Sequence, residues 1–443
     1  MERRTFLKIL SSAGIVSLVS PTFAMEVCKN KVSKSSSALL ESAFRNPPFS
    51  SGVYTWWHWM NGNITKDGIT RDLEAMKANG IAGYQLFEAG SGIPIGPVES
   101  LSDEWVDLIL HTLKESERLG LEFAMHNCPG WSSSGGPWIT PDKAMQIITW
   151  SETKITGGKQ VRIQLPTPKH MFDYYIDTYC LAIPANMKVI PRLSILELSN
   201  RLDKDGVLTW DVPTGEWLIM RFGQTAKDQK NKSAPSKSTG LDCDKFSTEA
   251  LDYHLNCMFK RLMPTMEKIA KHSKIGLLID SYETGDQDWT SDMPAYFEQS
   301  HGYELYPFLP VLANKIVESE ESTKRFLFDF RRVRADMFAE RYYGHFQKRC
   351  KEKGIITYTE PYGGNMMEEL QVAQQLDINM GEFWCGQTVL WANYKYNRTV
   401  KQVASIVHTL GGKVVGAEAF TSEPDADKWL QYPYALKSLG DYM

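Results

Sequence analysis

The sequence predicts an α/β fold: a (β/α)8 barrel of the TIM type, lacking its last strand and interrupted by a small antiparallel β insertion. Three observations predict it. From about residue 51, short apolar runs alternate with amphipathic stretches that stop at glycine, as parallel strands covered by helices do. The distinctive polar and aromatic residues sit just beyond the C-terminal end of each apolar run, where such a barrel builds its site. Between about 149 and 232 the pattern becomes short alternating runs separated by Gly, Pro and Asp, the mark of antiparallel strands.

In chain order, "GVYTWWHWMNG" is a strand entering a loop, and "KDGITRDLEAMKAN" then sets Ile69, Leu73 and Met76 on one helix face. Asn79-Gly80 stops that helix before the second strand, "IAGYQLFEAG". Ser102 caps the next helix, with Asp103 and Glu104 in its first turn and Trp105, Leu108, Ile109 and Leu113 facing in. Past Gly120 the third strand opens into "HNCPGWSSSGGPW". A helix from about Thr248 leads to "KIGLLIDSYETG", and another from about Ser322 to Lys353 leads to "IITYTEPYGG". "LDINMGEFWCG" and "GKVVGAEAFTSEP" bring the count to about seven strands. A doubly wound sheet is the alternative, but no strand is followed by a phosphate-binding glycine turn. "GSGIPIG" at 90–96 is broken by Pro94 and opens no helix.

The expected organisation is a first barrel part over 25–148, a β-rich insertion over 149–235 and a second barrel part over 236–443. The lysine-rich "KDQKNKSAPSKSTG" closes the insertion as a mobile, solvated loop. The last residues, "YALKSLGDYM", fall where a seventh helix is expected, so the chain is either a piece of a longer enzyme or an incomplete barrel.

Residues 1–24 read as a signal peptide of the twin-arginine type. "ERRTFLKIL" is basic and then apolar, "PTFA" supplies small residues, and cleavage falls after Ala24. The apolar stretch is too short and Ser-rich to span a bilayer, and nothing later in the chain could, so a periplasmic or secreted protein is expected. A net charge of -4 excludes a nucleic-acid or anionic-membrane partner, which needs a basic face. Seven cysteines include no CxxC pair and no zinc-like spacing, so they read mostly as buried thiols.

Five glutamates end strands: Glu88, Glu283, Glu360, Glu382 and Glu418. Any one alone reads as an exposed or ion-paired loop residue. Five at one barrel mouth need protons, a cation or a positive substrate to be tolerable. Glycoside hydrolysis uses such a set, one carboxylic acid protonating the leaving oxygen and one carboxylate activating water or attacking. Surplus carboxylates suit a hard cation such as calcium. Trp56, Trp57, Trp59, Trp131, Trp138, Tyr282, Trp289, Tyr362, Phe383 and Trp384 share these loops, and rings beside carboxylates suit a sugar. His58, His126, Asn61 and Asn127 are candidate hydrogen-bonders to its hydroxyls, His58 and His126 equally readable as satisfied core histidines.

"WWHWMNGNITKDGI", "HNCPGWSSSGGPW", "DSYETGDQDWT", "TEPYG" and "GAEAF" resemble the α-L-rhamnosidases of glycoside hydrolase family 106, from about residue 45 onward. The resemblance implies a (β/α)8 catalytic barrel followed by β-sandwich modules. It also implies inverting hydrolysis of terminal α-L-rhamnosides from plant polysaccharides or glycosides, and a calcium ion touching the sugar hydroxyls. Carried over by motif, Glu283 is the general acid, Glu418 the general base and Glu382 a metal or substrate ligand. Glu360, with His58, Trp59, Asn61, Glu88, His126, Asn127, Trp131, Tyr282 and Trp384, is a candidate for substrate binding. A related hydrolase for another sugar and a non-catalytic carbohydrate-binding protein are the competing readings.

Overall fold

The computed structural model describes residues 34–132, 134–385, 389–422, 428 and 430–443. The expected signal peptide lies outside them. Lys34–Arg45 forms a helix in a compact unit that ends at Val53, and the rest of the chain forms a second unit.

Seven strands stand in sequence order in one sheet: β1 (Val53–Met60), β2 (Ile81–Ala89), β3 (Glu122–His126), β4 (Ile275–Ile279), β5 (Ile356–Thr359), β6 (Ile378–Cys385) and β7 (Gly416–Ser422). The pairs from β2 to β7 are parallel. Period two sorts the side chains. Tyr84, Leu86, Phe123, Met125, Leu277 and Ile279 join the large core beneath the helices. Phe87, Ala124, Leu278, Tyr358 and Met380 form a separate cluster on the other face. Gln85 crosses that face, accepting from Trp56 Nε1 at 2.6 Å and donating to Met380 Sδ at 3.2 Å. A β2 side chain reaches β6 only if the sheet curls, so the architecture is a curled seven-stranded parallel sheet with helices outside.

The expected cap forms: Ser102 accepts from Trp105 N at 3.1 Å, and Gly120 closes that helix at φ 65°. Thr65 caps the helix before it, accepting from Gly68 N at 3.1 Å. The helix expected over 322–353 is three pieces: Glu320–Met337, a π turn at Phe338–Gly344, and His345–Lys351. Tyr342 and Tyr343, both in this wide turn, are fully buried.

The insertion forms an antiparallel four-stranded sheet in the order Gln146–Thr156, Glu216–Ala226, Ile176–Pro184, Leu196–Glu197. Lys159–Gln164 pairs with Val207–Val212 beside it. One face packs Cys180, Ala182 and Ile219 with Leu165 and Trp210, while Leu181, Ile183, Met220 and Phe222 enter the main core. The insertion thereby shares the core of the parallel sheet and its helices.

The lysine-rich segment after it is not the mobile loop expected. Gly90 N donates to Ser233 O at 2.7 Å, Trp131 N to Lys232 O at 3.3 Å, and Asn231 Nδ2 to Pro129 O at 3.0 Å. Its polar residues satisfy neighbouring loop backbone, a partner the local sequence does not reveal. Among the described residues, no helix is long and apolar enough to cross a membrane.

Candidate active site

Four consecutive strands end in carboxyls on the inner face. Asp280 follows Leu278 by two residues, Glu360 follows Tyr358, and Glu382 follows Met380, each continuing its strand's inward alternation. Glu382 stands in register with Glu418 of β7. Ligand atoms of Asp280, Glu360 and Glu418 lie within 4.8 Å of one another.

Crowding in a dry place favours the protonated forms. Burial, then the neighbouring Asp280 and Glu418, hold Glu360 well above the usual carboxylate range. Burial pushes Asp280 up to about 7. Glu418 rises to about 9, through burial and then the charges of Glu382 and Asp280. Tyr362 OH donates to Glu360 Oε2 at 2.6 Å, the Trp384 indole donates to Glu382, and Thr421 Oγ1 donates to Glu418. Asp280 and Glu360 also hydrogen-bond each other. An all-oxygen donor set of three crowded carboxyls fits a hard divalent cation, so calcium suits the residues present.

Beside this fan opens a cleft of about 930 Å³, lined by Tyr282, Glu283, Tyr362, Gly363, Glu382 and Trp384 among others. Lys232 also lines it, its Nζ 3.8 Å from Glu283 Oε2. Gly363, at φ 121°, is required there, since a Cβ would meet Tyr282 O at 2.2 Å. Tyr282 N donates to Tyr362 O at 2.9 Å and its hydroxyl to Gly285 O at 2.6 Å, which fixes the backbone on either side of Glu283.

The expected residues thus divide. Glu283, Glu382, Tyr282 and Trp384 line the cleft, and Glu360 and Glu418 stand in the adjoining triad. Glu382, expected as a metal or substrate ligand, is outside that triad. His58, His126 and Trp131 reach the inner face but do not line the cleft. The His126 ring packs 3.5 Å from Phe87, with Nε2 4.0 Å from Asp280 Oδ2, and burial holds its imidazole well below its ordinary range.

Four expected substrate contacts are structural instead. Trp59 points to the helix side and is buried in the main core, because it alternates with the inward His58. Glu88 likewise faces outward, beside Ser100 and Trp105, where burial pushes its carboxyl up to about 7. Asn61 donates to Ile93 O at 2.7 Å, holding a loop. Asn127 donates through Nδ2 to Leu278 O at 3.0 Å, locking β3 to β4.

The glycines of "HNCPGWSSSGGPW" make room for backbone. A Cβ on Gly130 would meet Lys232 O at 2.0 Å, and one on Gly135 would meet Leu241 O at 2.6 Å. Ser134 donates to Asp242 Oδ1 at 3.0 Å and accepts from the fully buried Lys245 at 2.7 Å, while Lys245 also pairs with Asp242. Burial lowers His254 to about 3, so the ring is neutral. Its Nδ1 accepts from Trp138 Nε1 at 3.3 Å, which leaves Nε2–H to donate to Asn127 O at 2.9 Å. Asp244 holds the loop after Glu283, accepting from Gln287 and from Thr290 Oγ1 at 2.8 Å.

Sequence reasoning missed Asp280, Lys232, Arg331 and Arg398. Asp280 had a visible signal, an acid directly after the all-buried "IGLLI". The three cations had none, because only the fold brings them to one cleft.

A curled parallel sheet whose strand ends converge carboxyls on a cleft lined with rings defines an acid–base site suited to a carbohydrate. The comparisons agree. The chain matches the glycoside hydrolase family 106 (alpha-L-rhamnosidase) over residues 45–177 and 169–443, and belongs to that family. It is 41% identical over 433 residues to a Formosa agariphila protein provisionally named a beta-glucuronidase, covering 91% of this chain and 36% of that protein. Its fold matches a rhamnosidase from Novosphingobium sp. PP1Y with a TM-score of 0.82 at 24% identity, covering 90% of this chain and 54% of the other. The chain therefore spans about a third to a half of these relatives.

Proposed function

We propose that the chain is the catalytic part of an exported glycoside hydrolase that removes terminal α-L-rhamnosyl residues from plant polysaccharides or glycosides with inversion. The observation that carries this reading is the carboxyl fan of Asp280, Glu360, Glu382 and Glu418 beside the ring-lined cleft that holds Glu283. The "ERRTFLKIL" leader supports export, and the sequential order of the seven curled strands supports a (β/α)8 barrel.

Glu283, on the cleft wall, is the general acid that protonates the leaving glycosidic oxygen. Glu418 is the general base that takes a proton from the attacking water on the opposite face of the sugar. Tyr282, Tyr362 and Trp384 offer faces to the sugar's C–H surfaces, and Glu382 orients Trp384 through its indole N–H. A base must be ionised, and a carboxyl pushed up to about 9 is not ionised at neutral pH. Asp280, Glu360 and Glu418 are the residues that would hold calcium. Its charge would keep all three ionised and give the sugar hydroxyls a coordination partner.

The test is release of L-rhamnose from an aryl α-L-rhamnoside, with β-L-rhamnose appearing first in the proton NMR spectrum. Sugar binding without product would leave a carbohydrate-binding protein instead. The provisional beta-glucuronidase name of the Formosa agariphila relative favours one competing reading, another sugar, so aryl β-D-glucuronide belongs in the same panel. Calcium added to chelator-treated protein should raise its melting temperature, and an unmoved melting curve sinks the metal assignment.

A further inference from the structure

Three carboxyls of the fan accept from a side chain a little further along their own strand. On β5 and β6 the donor comes two residues on, as period two requires: Tyr362 OH donates to Glu360 at 2.6 Å, and the Trp384 indole donates to Glu382. On β7 the donor to Glu418 is Thr421, three residues on. Phe420 breaks the count. The parallel strands β6 and β7 match Glu382 with Glu418 and Phe383 with Ala419, then Trp384 with Thr421, which leaves Phe420 as an extra residue. It takes φ 64°, the left-handed region that a bulky side chain normally avoids.

Bulges are rare between parallel strands, and beside active sites they re-aim a side chain. Here the Phe420 ring turns to Phe383, edge to face with 4.9 Å between centroids, and its carbonyl accepts from the Cys385 thiol at 3.2 Å. Phe383 alternates with the inward Glu382, so the Phe420 ring lies on the outer side of the sheet. Unbroken alternation would put Phe420 inward beside Glu418 and turn Thr421 away. The bulge skips the phenylalanine and gives Glu418 the hydroxyl instead. An unheld glutamate spreads over several rotamers, whereas a base must keep one oxygen aimed at the attacking water. Thr421 occupies Oε1, which leaves the other oxygen to receive the proton.

We propose that Thr421 is a positioning residue for Glu418, and that the bulge at Phe420 is what brings its hydroxyl there. The backbone strain at Phe420 is thereby tied to the reaction. This rests on the reading of Glu418 as the general base of a rhamnosidase and deepens it.

The experiment measures kcat and KM on an aryl α-L-rhamnoside for wild type, Thr421→Val, Thr421→Ser, Phe420→Gly and Phe420→Val. Thr421→Val keeps the shape and loses the donor. Its kcat should fall roughly tenfold to a hundredfold with KM little changed, the size of a hydrogen bond to a charged group. Thr421→Ser should recover most of that loss. Glycine accepts the positive φ and valine resists it, so Phe420→Val should lose more kcat than Phe420→Gly. Unchanged kcat in Thr421→Val, a loss confined to KM, or a Thr421→Ser as slow as Thr421→Val overturns the proposal. A Phe420→Gly no faster than Phe420→Val overturns the role of the bulge. If wild type cleaves no rhamnoside, the rhamnosidase reading fails by itself. Crystal structures of wild type and Thr421→Val then decide the positioning: a Glu418 carboxyl that leaves its place supports it, and one that stays overturns it.

Discussion

The two halves of the sheet end differently. At β1 to β3 the inward residues are rings and imidazoles, Trp56, His58, Phe87 and His126, packed on one another and away from the cleft. At β4 to β7 they are carboxyls, with ligand atoms of three within 4.8 Å, and Tyr362, Trp384 and Thr421 donate to Glu360, Glu382 and Glu418. The first half is built of rings that pack on one another, with the His58 side chain left exposed at its rim. The second half is electrostatically unfinished, and an unfinished cluster of like charges is where a cation, a proton or a reacting sugar can be accommodated. The same strand-end position therefore means support on one side of the sheet and chemistry on the other.

The largest expected effect lies on the carboxyl side. Glu283→Gln and Glu418→Gln should each lower kcat on an aryl rhamnoside by about 10²- to 10⁴-fold, Glu283→Gln with little change in melting temperature. Normal turnover in both would erase the distinction between the halves. On the other side, Trp59→Ala should cost about 3–5 kcal/mol of stability in urea denaturation and leave the kcat of the folded enzyme unchanged, because Trp59 fills core. A Trp59 variant that folds normally but loses rhamnoside affinity would return this residue to the site.

The scaffold between the halves gives an effect of similar size. Lys245→Met should destabilise by about 3–5 kcal/mol, since it leaves Asp242 buried and unpaired. Adding Asp242→Asn should recover part of that loss. A fully additive double variant would mean that the pair does not hold the 126–138 loop.

Glu88 offers the smallest and most specific check. Its carboxyl is raised to about 7 in the fold, so the fold binds its proton more tightly than the unfolded chain does. The corresponding stability is present at low pH and drains away as pH rises through about 7, by up to about 3 kcal/mol. Glu88→Gln should flatten the pH profile of stability and leave catalysis alone. An unchanged profile would mean that Glu88 is ionised and partnered in the fold.

The seven apolar runs, the caps at Thr65 and Ser102 and the glycine stop at Gly120 are local effects, and the sequence by itself determined them. Strand-end placement also made Glu283, Glu360, Glu382 and Glu418 legible as a set. Which side chain faces inward was decided by alternation against the assembled core. His58 and Trp59 are neighbours in sequence, yet one faces the interior and the other is buried beneath the helices. The tertiary structure alone decided that the glycines of 126–138 make room for the 232–242 backbone, because that contact joins residues about a hundred positions apart. It alone gathered Lys232, Arg331 and Arg398 at one cleft from a loop and two helices. Hydrogen bonds and period are written in neighbouring residues, but burial, proton affinity and charge balance depend on what the fold brings within a few ångströms.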